Sequence, residues 1–225
     1  MSGTHPMDHA TLKARQRAER HKHQTDMALR LHRALSWLDR AERSADDPDG
    51  RFIFLWIAFN AAYATEIDER YRLSEQATFQ AFLGKLLSLD KAKRFDQLVW
   101  TEFSGSIRVL LDNPYVFQDF WNFQNGSLEE QEWKDRFERA KAGARTSLRK
   151  QDTQTVLGIV LSRMYTLRNQ LMHGGATWNS QVNREQIRDC VNLLGKIVPL
   201  VIELMLDNPA TLWGPACYPV VTQNR

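Results

Sequence analysis

Apolar positions recur along nearly the whole chain with the 3.6-residue period of a helix, and no segment reads as a convincing strand. Met27, Leu31, Leu35 and Leu38, spaced by four, four and three, make one stripe on a helix expected over residues 11–44. The turn cluster SADDPDG at 44–50, with Pro48 and Gly50, ends it. The next helix, expected over 51–69, is apolar on almost every side through Tyr63, which marks the central helix of a bundle; it then turns polar at Glu66, Asp68, Glu69 and Arg70. A third helix is expected from about Ser74, a suitable N-cap, to about Leu89.

Residues 90–149 are less regular. KAKRFDQLVWTEFSGSIRVLLDNP reads as one or two helices with Gly105 as a weak point, and YVFQDFWNFQNG as a short aromatic helix stopped at Asn125-Gly126. SLEEQEWKDRFERAKAGARTSLRKQD reads as an exposed helix with opposite charges at i, i+4. We take this block as a helical insertion or flap between two halves of a bundle. The stripe Val156, Val160, Met164, Leu167 and Leu171 then predicts a buried helix. After GGATWNSQVN, a final helix is expected over 184–207, kinked at Pro199, followed by an irregular tail over 208–225 with three prolines. The expectation is an all-α bundle forming one domain over 1–225, with a basic N-terminal helix in 1–45.

Composition changes this picture little. The 225 residues include 43% hydrophobic and 25% charged side chains, ordinary for a globular protein and against global disorder. Cys190 and Cys217 form no CxxC pair and read as free thiols of a reducing compartment. Five of the six histidines lie in the first 32 residues without ligand spacing, so neither a metal nor another cofactor is expected. MSGTHPMDH lacks the apolar core of a secretory signal, and FIFLWIAFNAAYA, at 13 residues, is too short to span a bilayer. A cytoplasmic location with no membrane partner is therefore expected. The net charge is +3, but residues 1–45 carry nine Lys/Arg against five Asp/Glu. That segment is either a solvated helix face or a surface for an anionic partner such as RNA.

The candidate chemistry sits in TLRNQLMHGG, residues 166–175, where an apolar helix stops on two glycines. Arg168 grips phosphate oxygens in a fork, Asn169 donates and accepts, and His173 exchanges protons near neutral pH. RNA carries its own nucleophile, the 2′-hydroxyl, so one acid/base and one positive clamp can cleave it without a metal. On an ideal helix Asn169 and His173 share a face, whereas Arg168 and His173 lie about 140° apart at about 100° per residue. They meet only if Gly174 and Gly175 loosen the helix end, or if a second copy lies alongside. The same residues also read as a plain helix end: a cation in the last turn, then a glycine cap.

LRNQLMHGG resembles the signature of the HEPN superfamily, the higher eukaryotes and prokaryotes nucleotide-binding domain. That signature is Arg, a polar residue such as Asn, and His near a helix end. FIFLWIAFNAAYA resembles an aromatic-rich helix of a bacterial branch of that family. The resemblance covers 51–70 and 152–207 and leaves 1–45 and 90–149 unaccounted for. It implies an all-α bundle of four to five core helices, a homodimer with facing motifs, and a metal-independent endoribonuclease of toxin–antitoxin or phage-defence type. It also implies an antitoxin or regulatory protein as a further partner. By this resemblance Arg168 binds and polarises the scissile phosphate, His173 acts as acid/base or holds the leaving group, and Asn169 supports them. One departure is Gly175, where HEPN toxins modified by a nucleotidyltransferase often carry Tyr.

Two further residues are candidates for supporting roles. Asn60, polar within an apolar helix, either bonds a neighbouring backbone or points at the site. Arg163 either extends a basic groove or is solvated. Trp100, Trp121 and Trp133 read as core packing rather than base stacking. Two alternatives to the nuclease stand: a catalytically silent helical module binding RNA, nucleotide or protein, and a structural bundle whose helix simply ends in His-Gly-Gly.

Overall fold

Leu12 and Gln16 bury one side of the first helix, and no residue is buried again until Met27. A continuous helix across that gap would have nothing to hold it down. The chain instead breaks into α1 (His9–Ala18), a 3-10 turn at Arg20–Lys22, and α2 (Thr25–Glu42). The single helix expected over 11–44 is thus corrected to an antiparallel pair. His9 meets Asp39 at 3.3 Å and donates its backbone N–H to Glu42 at 2.8 Å, while Lys13 reaches His32 at 3.5 Å. The computed structural model describes residues 7–63, 72–181, 183–211, 213–216 and 218, with 72–78 as backbone only.

Every described element is helical, so the all-α class expected from the sequence holds. The contacts divide the chain into two units, 1–82 with 194–225, and 83–193. The remaining helices are α3 (Pro48–Tyr63), α4 (Arg72–Leu89), α5 (Arg94–Gln97), α6 (Ser104–Asp112), α7 (Gln118–Gln124), α8 (Glu130–Arg149), α9 (Thr153–Met172) and α10 (Arg184–Asp207). The unit boundaries fall inside α4 and α10. No helix among the described residues is long and apolar enough to cross a membrane. The polar residues Glu66, Asp68, Glu69 and Arg70 lie outside the described residues.

In the first unit the α2 stripe is buried, and α3 answers it with Phe52, Leu55, Trp56, Phe59 and Ala62. Pro48 opens α3 where a missing N–H costs nothing, and the Asp47 carboxylate accepts the Gly50 N–H at 3.1 Å. Arg30, 1% exposed, donates to the carbonyls of Ala62 at 2.9 Å and Pro215 at 2.5 Å. Asp26 accepts the Ala216 N–H at 3.2 Å. No described residue of the tail is helical, and α2 holds Pro215 and Ala216 by these polar contacts. Within this unit α10 continues as helix through Pro199.

In the second unit the block 90–149 supplies the neighbours of α9. Trp100 donates to Thr153 at 2.9 Å, and Thr153 donates to Asp96. Phe117, Phe120, Phe123, Trp133 and Phe137 form a chain of ring contacts 5.2–6.2 Å between centroids. Along α8 the expected i, i+4 pairs are present, Glu130 with Lys134 at 2.6 Å and Glu132 with Arg136. Only Phe137 and Ala144 of α8 are buried.

Candidate functional site

The placement of the motif begins at the other end of its helix. Asp152 caps α9, accepting the Thr155 N–H at 3.0 Å and its hydroxyl at 2.7 Å. From there Val156, Val160, Met164 and Leu167 fall on one side and are buried, as the stripe predicts, whereas Leu171, its last member, is only half-buried. The opposite side carries exposed Ser162, Tyr165 and Met172, with Arg168 and Asn169 half-buried. Gly158, Leu161 and Thr166 on that side are buried, so the RNxxxH residues stand at the exposed C-terminal end of a helix held by its buried stripe.

The structure joins part of the motif. Arg168 donates from its guanidinium to the Asn169 side-chain oxygen at 2.9 Å. The His173 backbone N–H goes to the Asn169 carbonyl at 3.0 Å, four residues back. His173 itself is exposed at the C-cap, and its imidazole makes no hydrogen bond among the described residues. The helix end follows the glycine-cap logic. Gly174 takes φ +72°, its N–H reaches the Leu171 carbonyl at 3.4 Å, and the Gly175 N–H reaches the Gln170 carbonyl at 2.7 Å. This is a Schellman closure, and it stops the helix without help from the His173 side chain. It also turns the chain only after His173, while α9 is regular through Met172. Loosening at the glycines therefore does not swing Arg168 round to His173.

Gln170 ties this helix end to its surroundings. Its amide donates to the Tyr115 carbonyl at 2.6 Å, and its oxygen accepts from Asn183 at 3.4 Å. Neither partner was foreseen, because nothing in the local pattern around Tyr115 or Asn183 marks them as neighbours of α9. Tyr165 and Met172, 48% and 51% exposed, were also missed. Lying outside the stripe did not mark them, because Leu157, Gly158, Leu161 and Thr166 also lie outside it and are buried.

Arg163 is a correction. Read from sequence as solvated or as an extension of a groove, it is 5% exposed. Its guanidinium carbon sits 4.4 Å from the centroid of Phe117 and 5.7 Å from that of Phe137. Burial pushes its pKa down to about 10, and the Asp119 charge only partly offsets this. Asn60 is half-buried on α3, in the first unit, and its amide makes no hydrogen bond among the described residues. Trp100, Trp121 and Trp133 are half-buried, and Trp121 donates to the Tyr115 carbonyl at 2.8 Å. Cys190 is buried, and burial raises its thiol pKa, so it is poorly placed to act as a nucleophile. Among the described residues no three His, Cys, Asp or Glu gather as a metal cluster. Comparison with family models, with curated proteins and with solved structures gave no match.

Proposed function

We propose that this chain is a metal-independent endoribonuclease of HEPN type, acting as a homodimer whose facing motifs build composite sites at the interface. The observation that carries the reading is the exposed C-terminal end of α9, which carries a bonded Arg168–Asn169 pair and, on another side, an uncommitted His173 imidazole for a second copy to meet. In the reaction the 2′-oxygen attacks the neighbouring phosphorus and the bond to the 5′-oxygen breaks. The products are a 2′,3′-cyclic phosphate and a 5′-hydroxyl. Arg168, held by Asn169, neutralises the charge growing on the phosphate oxygens. An imidazole takes the 2′-hydroxyl proton, and protonation of the leaving 5′-oxygen completes the exchange.

The resemblance of the RNxxxH string to HEPN toxins supports a toxin–antitoxin or phage-defence role, with an antitoxin or regulatory protein as partner. The test is cleavage of mixed RNA in EDTA by wild type, His173→Ala and Arg168→Ala, with end-group analysis. Loss of rate in each variant by about 10²- to 10⁴-fold, with cyclic or 3′-phosphate ends from wild type, is the expected result. Intact RNA after incubation with folded wild-type dimer would instead leave a silent RNA-binding module.

A further inference from the structure

Charge along α8 is not evenly mixed. Residues 129–138 hold five Asp/Glu and two Lys/Arg, whereas 139–150 hold five Lys/Arg and no Asp/Glu. A helix dipole favours cations only within the last turn, which accounts for Arg149 but not for Arg145 a turn earlier. Arg145 and Arg149 line an open concavity of about 580 Å³, and the third cation on it, Arg108, comes from α6. Arg108 is exposed and makes no hydrogen bond or ion pair among the described residues. Arg145 meets Asp112 at 3.4 Å on the surface, a pair that water screens heavily.

The concavity continues past Arg108, which also lines a neighbouring hollow of about 500 Å³ with Tyr115. Tyr115 is 50% exposed. Its carbonyl is the acceptor for Gln170, the residue that follows Arg168 and Asn169. Within the second unit three arginines and an exposed aromatic ring thus line two adjoining hollows, and the Tyr115 backbone is tied to Gln170 of α9. Ala142 and Thr146 belong to the lining between the arginines.

We propose that this trough holds the backbone of a single-stranded RNA, with Arg108, Arg145 and Arg149 on successive phosphates and a base stacked on Tyr115. The inference rests on the ribonuclease reading and adds the route by which substrate reaches the motif. Guanidinium forks suit phosphate oxygens, and an aromatic ring accepts any base, so the trough confers affinity with little sequence preference.

The test is fluorescence anisotropy in EDTA with a labelled single-stranded RNA of about 12 nucleotides, on the full chain carrying His173→Ala. Replacing Arg108, Arg145 and Arg149 together by Ala is expected to weaken binding on the order of ten-fold or more. It should also flatten the plot of log affinity against log salt by about 2, roughly 0.7 for each lost phosphate contact. Tyr115→Ala is expected to cost on the order of ten-fold with the salt slope unchanged. The same number of charges removed at Arg17, Arg20 and Arg43, which belong to the first unit and line neither hollow, should leave affinity within about two-fold. Undiminished binding by the α6/α8 triple variant would overturn the proposal. So would an equal loss from the N-terminal triple variant, or a DNA duplex bound as tightly as the RNA. Cleavage is scored separately: RNA bound through the trough but never cut by wild type defeats the ribonuclease reading alone. Cutting that survives the triple substitution at full affinity defeats the trough alone.

Discussion

Arg163 and Arg168 stand on the same helix, and their surroundings separate them. Arg168 keeps solvent on one side and finds Asn169, whereas Arg163 is covered by Phe117 and Phe137. A desolvated cation–π contact is worth about 2 kcal/mol. Taking a charge out of water costs several kcal/mol, and the Arg163 Nε has no hydrogen-bond partner. The desolvation cost outweighs the ring contact, so the side chain's stem and shape, not its charge, hold the site together. Arg163→Met should therefore match or exceed wild-type stability in urea unfolding, while Arg163→Ala, which opens a void under Phe117, should lose about 2–3 kcal/mol. A Met variant no more stable than the Ala variant would refute this. The local sequence could not have shown the burial. Arg163 lies beside the Val156–Leu171 stripe, and only the fold brings rings from 117 and 137 over it. The motif was legible for the opposite reason: its three residues are close in sequence, and one helix end fixes them.

The break between α1 and α2 shows what a helix-period reading misses. Residues 13–24 are rich in Ala, Arg, Lys and Gln, all compatible with helix, so propensity ran on where packing stopped. The gap between buried Gln16 and buried Met27 was decisive, and it outweighs propensity because most helix stability in a protein comes from the packed face. His23 sits at this junction with both ring nitrogens buried and without hydrogen-bond partners. Burial lowers its pKa from the ordinary 6.5, with Glu19 opposing and His21 and Lys22 reinforcing the shift. The unfolded chain then takes up the proton first. The contribution is complete above pH 6.5 and is lost as pH falls below it towards the folded-state value. Urea midpoints measured at about pH 7.5 and 5.5 should drop further for wild type than for His23→Phe, which keeps a ring but cannot titrate. Parallel drops in the two proteins would remove His23 from the account. The same limit applies to 90–149: each helix there could be read from its period, but not which residues it would cover.

For the molecule as a whole, the boundaries of the two units fall within α4 and α10, where composition does not change and the sequence gives no cue. The larger question is whether one chain is enough. Arg168 and His173 lie about 140° apart on a helix that stays regular until His173, so under the proposed function one copy alone does not bring them together. Exposed Tyr165 and Met172 lie between them on the helical wheel, where a second copy would need apolar contact. Sedimentation should therefore show a dimer, and Tyr165→Asp with Met172→Asp should yield monomers that no longer cut RNA although Arg168, Asn169 and His173 are untouched. A decisive form of the experiment mixes two dead proteins. If Arg168 of one copy works with His173 of the other, an Arg168→Ala chain paired with a His173→Ala chain rebuilds one complete site and one doubly broken one. Equal mixing then restores on the order of a quarter of wild-type cleavage, because half the dimers are mixed and each has one good site of two. If each site draws both residues from a single chain, no pairing of these variants restores anything. Silence in the mixture, with an active wild type, would place the chemistry within one protomer and end the composite-site reading.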